Sequence, residues 1–293
     1  MSTGDEARLF DLGYRGYDGA RQRPARAILT LAWFTAMRVL GIGRGGRHKV
    51  LPALTLVIAF LPALFNVAIS AFADVVLEED LISYGDYTFI IGSALTLFAA
   101  LVAPEALCPD RRSGMLGLYL AGPLDRTRYL AAKALGVFGV MLLITVGPLL
   151  FMLLAFELAG LGEPATELPR LLLRIFVTGL ATALLYTSLS LAVSSFTTRR
   201  AAAAVATVLL LVVPVFVVRT AIENADAPAE LDLLSFPFVA SELAYRIFGQ
   251  ESGDTEAPLA ELSTGLVAGG LLAASAVALL VCWLRYRRIE AFR

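Results

Sequence analysis

ALGVFGVMLLITVGPLLFMLLAF, residues 134–156, runs 23 residues without a charged side chain. As a helix rising about 1.5 Å per residue it covers the roughly 30 Å hydrocarbon core of a bilayer, where a helix can satisfy every backbone hydrogen bond internally. The stretch therefore reads as a membrane-spanning helix. Two comparable apolar stretches precede it, residues 51–73 and 87–107, and three follow, residues 171–196, 201–222 and 264–283. The whole chain agrees: 58% of its 293 residues are apolar and 17% charged, against about 45–50% and about 25% in soluble domains, and the mean hydropathy is +0.76. This composition excludes a nucleic-acid-binding domain, a disordered tail and a secreted disulfide scaffold. The first 25 residues are polar and carry Arg8, Arg15, Arg21 and Arg23, so no signal peptide is expected and the first span should be a retained anchor.

A formal net charge of -1 hides a segregation along the chain. Basic residues gather before the first span (Arg26, Arg38, Arg44, Arg47, Lys49), in the second loop (Arg111, Arg112, Arg126, Arg128, Lys133), in the fourth (Arg199, Arg200) and after the sixth span (Arg285, Arg287, Arg288, Arg293). Acidic residues fill the first loop (Asp74, Glu78, Glu79, Asp80, Asp86), the third (Glu163, Glu167) and the long fifth (Glu223 to Glu261). Because Lys and Arg are retained on the cytoplasmic side, the alternation predicts an all-α membrane protein with six spans and both termini cytoplasmic. Three regions follow: a cytoplasmic segment 1–50, a transmembrane domain 51–284 and a basic tail 285–293. The expected location is the cell membrane.

Two apolar segments are unsuited to spanning. Residues 26–40, RAILTLAWFTAMRVL, place Arg26, Thr30 and Arg38 near helical spacing on one side, with Ile28, Leu29, Trp33, Met37 and Leu40 on the rest. That pattern predicts an amphipathic helix in the cytoplasmic interface. Residues 233–248, LLSFPFVASELAYRIF, are interrupted by Pro237, Glu242 and Arg246 and predict helices that dip into or lie on the outer interface.

Little in the spans could carry chemistry. Intramembrane hydrolysis needs a nucleophile with a base, paired acids or metal ligands at depth, and the spans offer none; the single histidine, His48, lies in the basic flank of the first span. Ser188, Ser190, Ser194 and Ser195 lack a base and suit close helix packing. Gly41, Gly43, Gly45 and Gly46 lack the Lys-Ser/Thr ending of a phosphate loop. Cys108 and Cys282 read as packing residues, having no C-x-x-C spacing. Gly265, Gly269 and Ala273 form a small-residue stripe that favours internal helix packing over a subunit contact. Ionisable residues at the span ends are candidates by default, because burying them in lipid is costly. Glu105, Glu157 and Arg174 are therefore candidate gate or ion-pair residues, with Glu157 and Arg174 at similar depth. The lack of such groups near the midplane argues against proton or sodium coupling.

The second basic loop is the most informative: EALCPDRRSGMLGLYLAGPLDRTRYLAAK, residues 105–133. An acidic and basic cluster leads into a short helix whose Met115, Leu116, Leu118 and Tyr119 are expected to face the cytoplasm, ending at a Gly-Pro stop. Such apolar side chains either dock a protein or rest on headgroups. The stretch resembles the membrane subunits of ABC-2 type exporters, whose corresponding loop follows E-R-E-x-G-T-L-E-x-L-L, then Pro-Leu-Ser/Thr-Arg and Gly-Lys. Asp110, Arg111, Arg112, Gly114, Leu116, Leu120, Pro123, Leu124, Arg126 and Lys133 match; Met115, Gly117 and Ala132 depart. The opening LFDLGYRGYDGAR, residues 9–21, is similar to the start of permeases from actinobacterial-type operons.

The resemblance implies that residues 26–40 are a connecting helix and that residues 111–121 are a coupling helix docking on a separate ATP-binding subunit. Asp110, Arg111, Arg112, Gly114, Met115, Leu116, Leu118 and Tyr119 would form that docking element, and residues 233–248 the extracellular re-entrant helices. It further implies two permeases, identical or related, with two ATP-binding subunits, ATP and Mg being held by those subunits and no cofactor by this chain. The path would follow the permease interface along the first, second and fifth spans. Phe60, Phe65, Phe72, Phe89, Phe98 and Phe216 are candidate path-lining aromatics for hydrophobic or amphipathic cargo, or simply core. The alternative function is a non-transporting anchor or sensor that works with an ATPase partner.

Overall fold

The structure, a computed structural model, describes residues 24–72, 82–120, 124–160, 162, 164–250 and 258–288, and among these every regular element is a helix. Helix α1 (Pro24–Val39) leads into the long α2 (Arg47–Phe72). Four short helices follow, α3 (Tyr84–Ile90), α4 (Gly92–Leu97), α5 (Cys108–Arg112) and α6 (Met115–Leu120). The remainder is α7 (Arg126–Leu158), α8 (Leu168–Ser194), α9 (Arg200–Ala225), α10 (Phe236–Phe248) and α11 (Thr264–Arg287). Among the described residues, six segments are long and apolar enough to cross a membrane: Arg47–Ser70, Gly92–Arg112, Arg126–Leu158, Leu168–Ser194, Arg200–Ala225 and Thr264–Arg287. They coincide with the six expected spans. The motif at 9–21, the acidic residues 74–80, the end of the expected coupling helix at 121–123 and the tail beyond 288 lie outside the described residues.

The second span differs from expectation, because it is not one helix. α3 and α4 meet at Ile91, a π turn occupies Phe98–Val102, a 3-10 turn Ala103–Ala106, and α5 completes it. Pro104 and Pro109 supply a physical cause for the irregular stretch from Phe98 onward, though not for the junction at Ile91: neither has an N–H to donate, and each ring crowds the carbonyl four residues earlier. A neighbouring helix compensates where the ladder is irregular, since the Ser190 hydroxyl donates to the Ala99 carbonyl at 2.6 Å. The serines of α8 are all buried and bond to backbone carbonyls or pack, as expected of small hydroxyl residues at helix contacts.

α7 and α8 form the interior. α7, at 33 residues, is about 50 Å long and outruns a bilayer's hydrocarbon core. Its first turn is capped by Asp125, whose carboxylate accepts from the Arg128 N–H at 2.7 Å. α7 and α8 approach closely enough for Thr145 to donate to the Gly179 carbonyl at 3.1 Å. α2, α9 and α11 sit outside and leave apolar side chains exposed, among them Leu54, Val57, Leu61 and Phe65 on α2 and Val205, Leu209 and Phe216 on α9. The stripe of Gly265, Gly269 and Ala273 is exposed on α11, so the expected internal packing is not made there. Of the candidate aromatics, Phe98 is core and Phe60 packs edge-on against Phe151, whereas Phe65, Phe89 and Phe216 are exposed.

α1 lies along α7, burying Leu31, Thr35 and Val39 and exposing Leu29, Trp33 and Phe34. Arg38, assigned by spacing to the polar side with Arg26 and Thr30, instead turns toward the bundle. α10 is continuous: Pro237 sits in its first turn, where a missing N–H costs nothing, rather than breaking it. The charges expected to interrupt it are satisfied internally. Arg246 pairs with Glu242 at 2.7 Å and donates to the Leu262 and Leu259 carbonyls at 2.7 Å each. Tyr245 donates to Asp86 at 2.8 Å, which ties α10 to α3, and Asn66 holds both the N–H and the carbonyl of Ile82 at 3.0 and 2.9 Å.

The crossing of α1 over α7 depends on Gly136, where a Cβ would stand 2.6 Å from the Ala32 carbonyl oxygen and 2.7 Å from Thr35 Cβ. Gly136→Val should cost about 1–3 kcal/mol by forcing the helices apart. Gly139→Val, one turn on and facing open space, should stay within about 0.5 kcal/mol. Thermal unfolding of both variants in one detergent checks the difference; equal losses would show that the close crossing carries no stability.

Candidate functional site

The basic end of the bundle is built around one carboxylate. Asp110, in the single turn of α5, is 1% exposed, and its two oxygens are divided among three donors. Oδ1 accepts from Arg38 of α1 at 2.7 Å. Oδ2 accepts from Lys133 Nζ of α7 at 2.6 Å and from the Tyr129 hydroxyl at 3.0 Å. Tyr129 and Lys133 are four residues apart and so share one face of α7. Lys133 is 2% exposed, with the Tyr119 and Tyr129 rings 5.6 and 5.5 Å from its ammonium. A buried charge this poorly hydrated persists only when paired and hydrogen-bonded, and each member here has its partner. The Tyr129 ring also meets Tyr286 of α11 at 6.1 Å. Three helices and the loop segment α5–α6 thus converge on Asp110.

A second carboxylate holds the neighbouring turns. Glu105 accepts from Arg44, in the turn between α1 and α2, at 3.0 Å, and pairs with Arg200 at the start of α9. The glycines that superficially suggested a phosphate loop form that turn and direct Arg44 toward Glu105. Burial first, and the nearby Arg38 charge second, hold the Arg44 guanidinium below its ordinary value. Arg111 reaches the other way, donating to the Ser195 and Thr197 carbonyls just beyond α8, where a cation complements the helix's negative end. Cys108 packs against the Ser194 and Thr197 carbonyls, and both cysteines are buried free thiols.

Among the residues expected on the docking element, the structure separates two groups. Arg112 is exposed, as are Met115 at 39% and Leu118 at 67%. Leu116, expected to face outward, is 6% exposed and packs into the core, because a one-turn helix lying on the bundle must bury one side. Tyr119 also turns inward, its ring 5.5 Å from that of Tyr129; burial, then the Asp110 charge, raises its phenol above the ordinary value. Gly114, with φ at +70°, makes the left-handed turn between α5 and α6, a conformation that costs a side-chain-bearing residue strain. Asp110 and Arg111 face the bundle and serve as anchors.

At the acidic end the expected pairing of Glu157 with Arg174 is not made. Arg174 donates to the Phe248 carbonyl at 3.1 Å, at the C-terminal end of α10, while the Glu157 carboxylate lies over Gly162. Depth along two helices does not fix azimuth, and the two side chains point to different neighbours. Sequence reasoning missed Arg38, Arg44, Tyr129 and Arg200 as site partners and treated Lys133 only as part of a motif. The four-residue spacing of Tyr129 and Lys133 was the available signal.

Residues 22–291 match the family described as ABC-2 family transporter protein, which is nearly the entire chain. No curated protein matches it.

Because Asp110 is buried with its cations, Asp110→Asn should cost about 3–5 kcal/mol by leaving Arg38 and Lys133 uncompensated. Glu105→Gln, whose partners are 28% and 45% exposed, should cost about 1 kcal/mol or less. Detergent unfolding midpoints would test this order, and an equal effect of the two substitutions would remove Asp110 from its central place.

Proposed function

The chain belongs to the ABC-2 family of transporter proteins, and on that premise we propose that it is the permease of an ATP-driven exporter, two permeases pairing with two ATP-binding subunits. Permeases of this family are membrane subunits that generally work with an ATP-binding subunit, and six apolar segments accord with a multi-pass membrane protein. In this reading both termini and the basic end are cytoplasmic, as the distribution of Arg and Lys supports, and the membrane is the plasma membrane. α1 is the connecting helix, α6 the coupling helix, and α10 the outer re-entrant helix. ATP and Mg belong to the partner subunit.

One observation carries the proposal. α6 exposes Met115 and Leu118 beside Arg112 while its base is clamped through Asp110 to α1 and α7. An apolar pair on a helix that cannot move independently of the bundle is suited to receive displacement from a docked partner. Closure of the ATP-binding pair would bias the permease between two states only if the partner binds those states with different affinity. The exposed apolar faces of α2 and α9, on either side of the irregular second span, support a path at the permease interface and a hydrophobic or amphipathic cargo.

The test replaces only the outward pair. Met115→Asp with Leu118→Asp should abolish co-purification of an ATP-binding subunit from native membranes while leaving the unfolding midpoint of the isolated permease within a few degrees. Leu116→Asp is unsuitable, since it would bury a charge. Retention of the ATP-binding subunit by the double variant, or its absence from the wild-type preparation even after crosslinking, would overturn the assignment.

A further inference from the structure

Beside α6, at the same basic end, lies an open cleft of about 750 Å³ that shares only Arg112 with the docking element. Arg38, Arg112, Arg199 and Arg200 line it with Ser113 and Thr198. A second, smaller cleft shares Arg38 and Arg200 and adds Arg44, Arg47 and His48. Six guanidiniums in the two clefts face two carboxylates, Asp110, which is buried beneath them, and Glu105. Arg47, Arg112 and Arg199 make no ion pair among the described residues, and Arg38 Nε is buried without a hydrogen-bond acceptor.

The backbone adds to this charge. α9 begins in the larger cleft at Arg200 and Ala201, its N-cap Arg199 provides no side-chain acceptor, and the first intrahelical bond is made by Ala203. The N–H groups of the first turn are therefore open at the positive end of a 26-residue helix, an arrangement that favours a phosphate.

The smaller cleft also has an apolar wall, Leu51, Pro52, Leu101 and Val102, which continues into the exposed side of α2 at Leu54, Val57 and Leu61. A free anion has no use for that wall. A phosphate carrying acyl chains does, and basic pockets at the ends of membrane helices suit anionic headgroups.

We infer that the arginine-lined clefts between α1, α5 and the start of α9 bind the phosphate of an anionic phospholipid from the adjoining leaflet, with its acyl chains along α2. The inference rests on the membrane reading of the chain but not on cargo or transport direction. The bound lipid would neutralise the arginines next to α6 and brace the turn between α1 and α2 against α9.

The full-length permease in detergent is titrated with short-chain phosphatidylglycerol, with phosphatidylcholine of the same chains, and with inorganic phosphate, lipid adducts being read by native mass spectrometry and the unfolding midpoint being read for all three. Phosphatidylglycerol should bind at least about tenfold more tightly than phosphatidylcholine, and Arg47→Gln with Arg199→Gln should weaken it roughly ten- to thirtyfold. Arg47→Lys with Arg199→Lys should restore most of the affinity. Equal binding of the two lipids, or full binding by the Gln variant, overturns the inference. A rise in midpoint with inorganic phosphate as large as that with phosphatidylglycerol would assign the cleft to free phosphate and overturn the lipid. Co-purification of the ATP-binding subunit is read on the same samples: its loss in the Gln variant with lipid binding unchanged would give these arginines to the partner instead. Failure of the docking proposal alone leaves the lipid titration interpretable.

Discussion

One carboxylate with three donors governs the basic end of this molecule. Asp110 cannot be hydrated where it lies, so Arg38, Lys133 and Tyr129 must come to it, and in doing so they bring α1, α7 and the α5–α6 segment together. The consequence is geometric as much as energetic. α6 is only six residues long and would have no fixed orientation in isolation. Its place is set by Leu116 and Tyr119 packed beneath it and by the charge cluster at its base. Met115 and Leu118 therefore point away from the bundle because the other side of the helix is fully engaged.

The six spans were legible because each is a long apolar run, and length with hydropathy is what a bilayer selects. The segment at 105–133 was legible as a place where charges gather because an acidic and basic cluster precedes apolar residues in a stretch too short to span. The inward side of that segment was not. With only one turn of helix, 3.6-residue periodicity does not discriminate between Leu116 and Leu118, and the burial of Leu116 is decided by α7 and the core. Arg38 was misplaced for a related reason. Helical spacing put it with Arg26 and Thr30, but a partner 72 residues away at 2.7 Å outweighed local periodicity.

The acidic end shows the same limit. Arg174 and Glu157 looked paired by depth, yet Arg174 has the carbonyl end of α10 within reach. α10 itself looked interrupted by Pro237, Glu242 and Arg246. The proline falls where a helix begins, and the two charges neutralise one another across one turn while Arg246 also gathers two carbonyls. Position within the helix, rather than residue type, decided each case.

The irregular second span stands beside α7, which stays α-helical over 33 residues although Pro148 lies inside it. A continuous helix whose ladder lacks only the bond that an N–H at Pro148 would make resists bending and twisting along most of its length. A column assembled from three kinds of helical turn, α, π and 3-10, has joints at Ile91, at Phe98–Val102 and at Pro104. The molecule thus carries a stiff shaft and a segmented one side by side, both tied to Asp110 at one end. Torque applied there travels the whole of the first, while the second can take it up within its joints, so the two ends of the second span need not turn together.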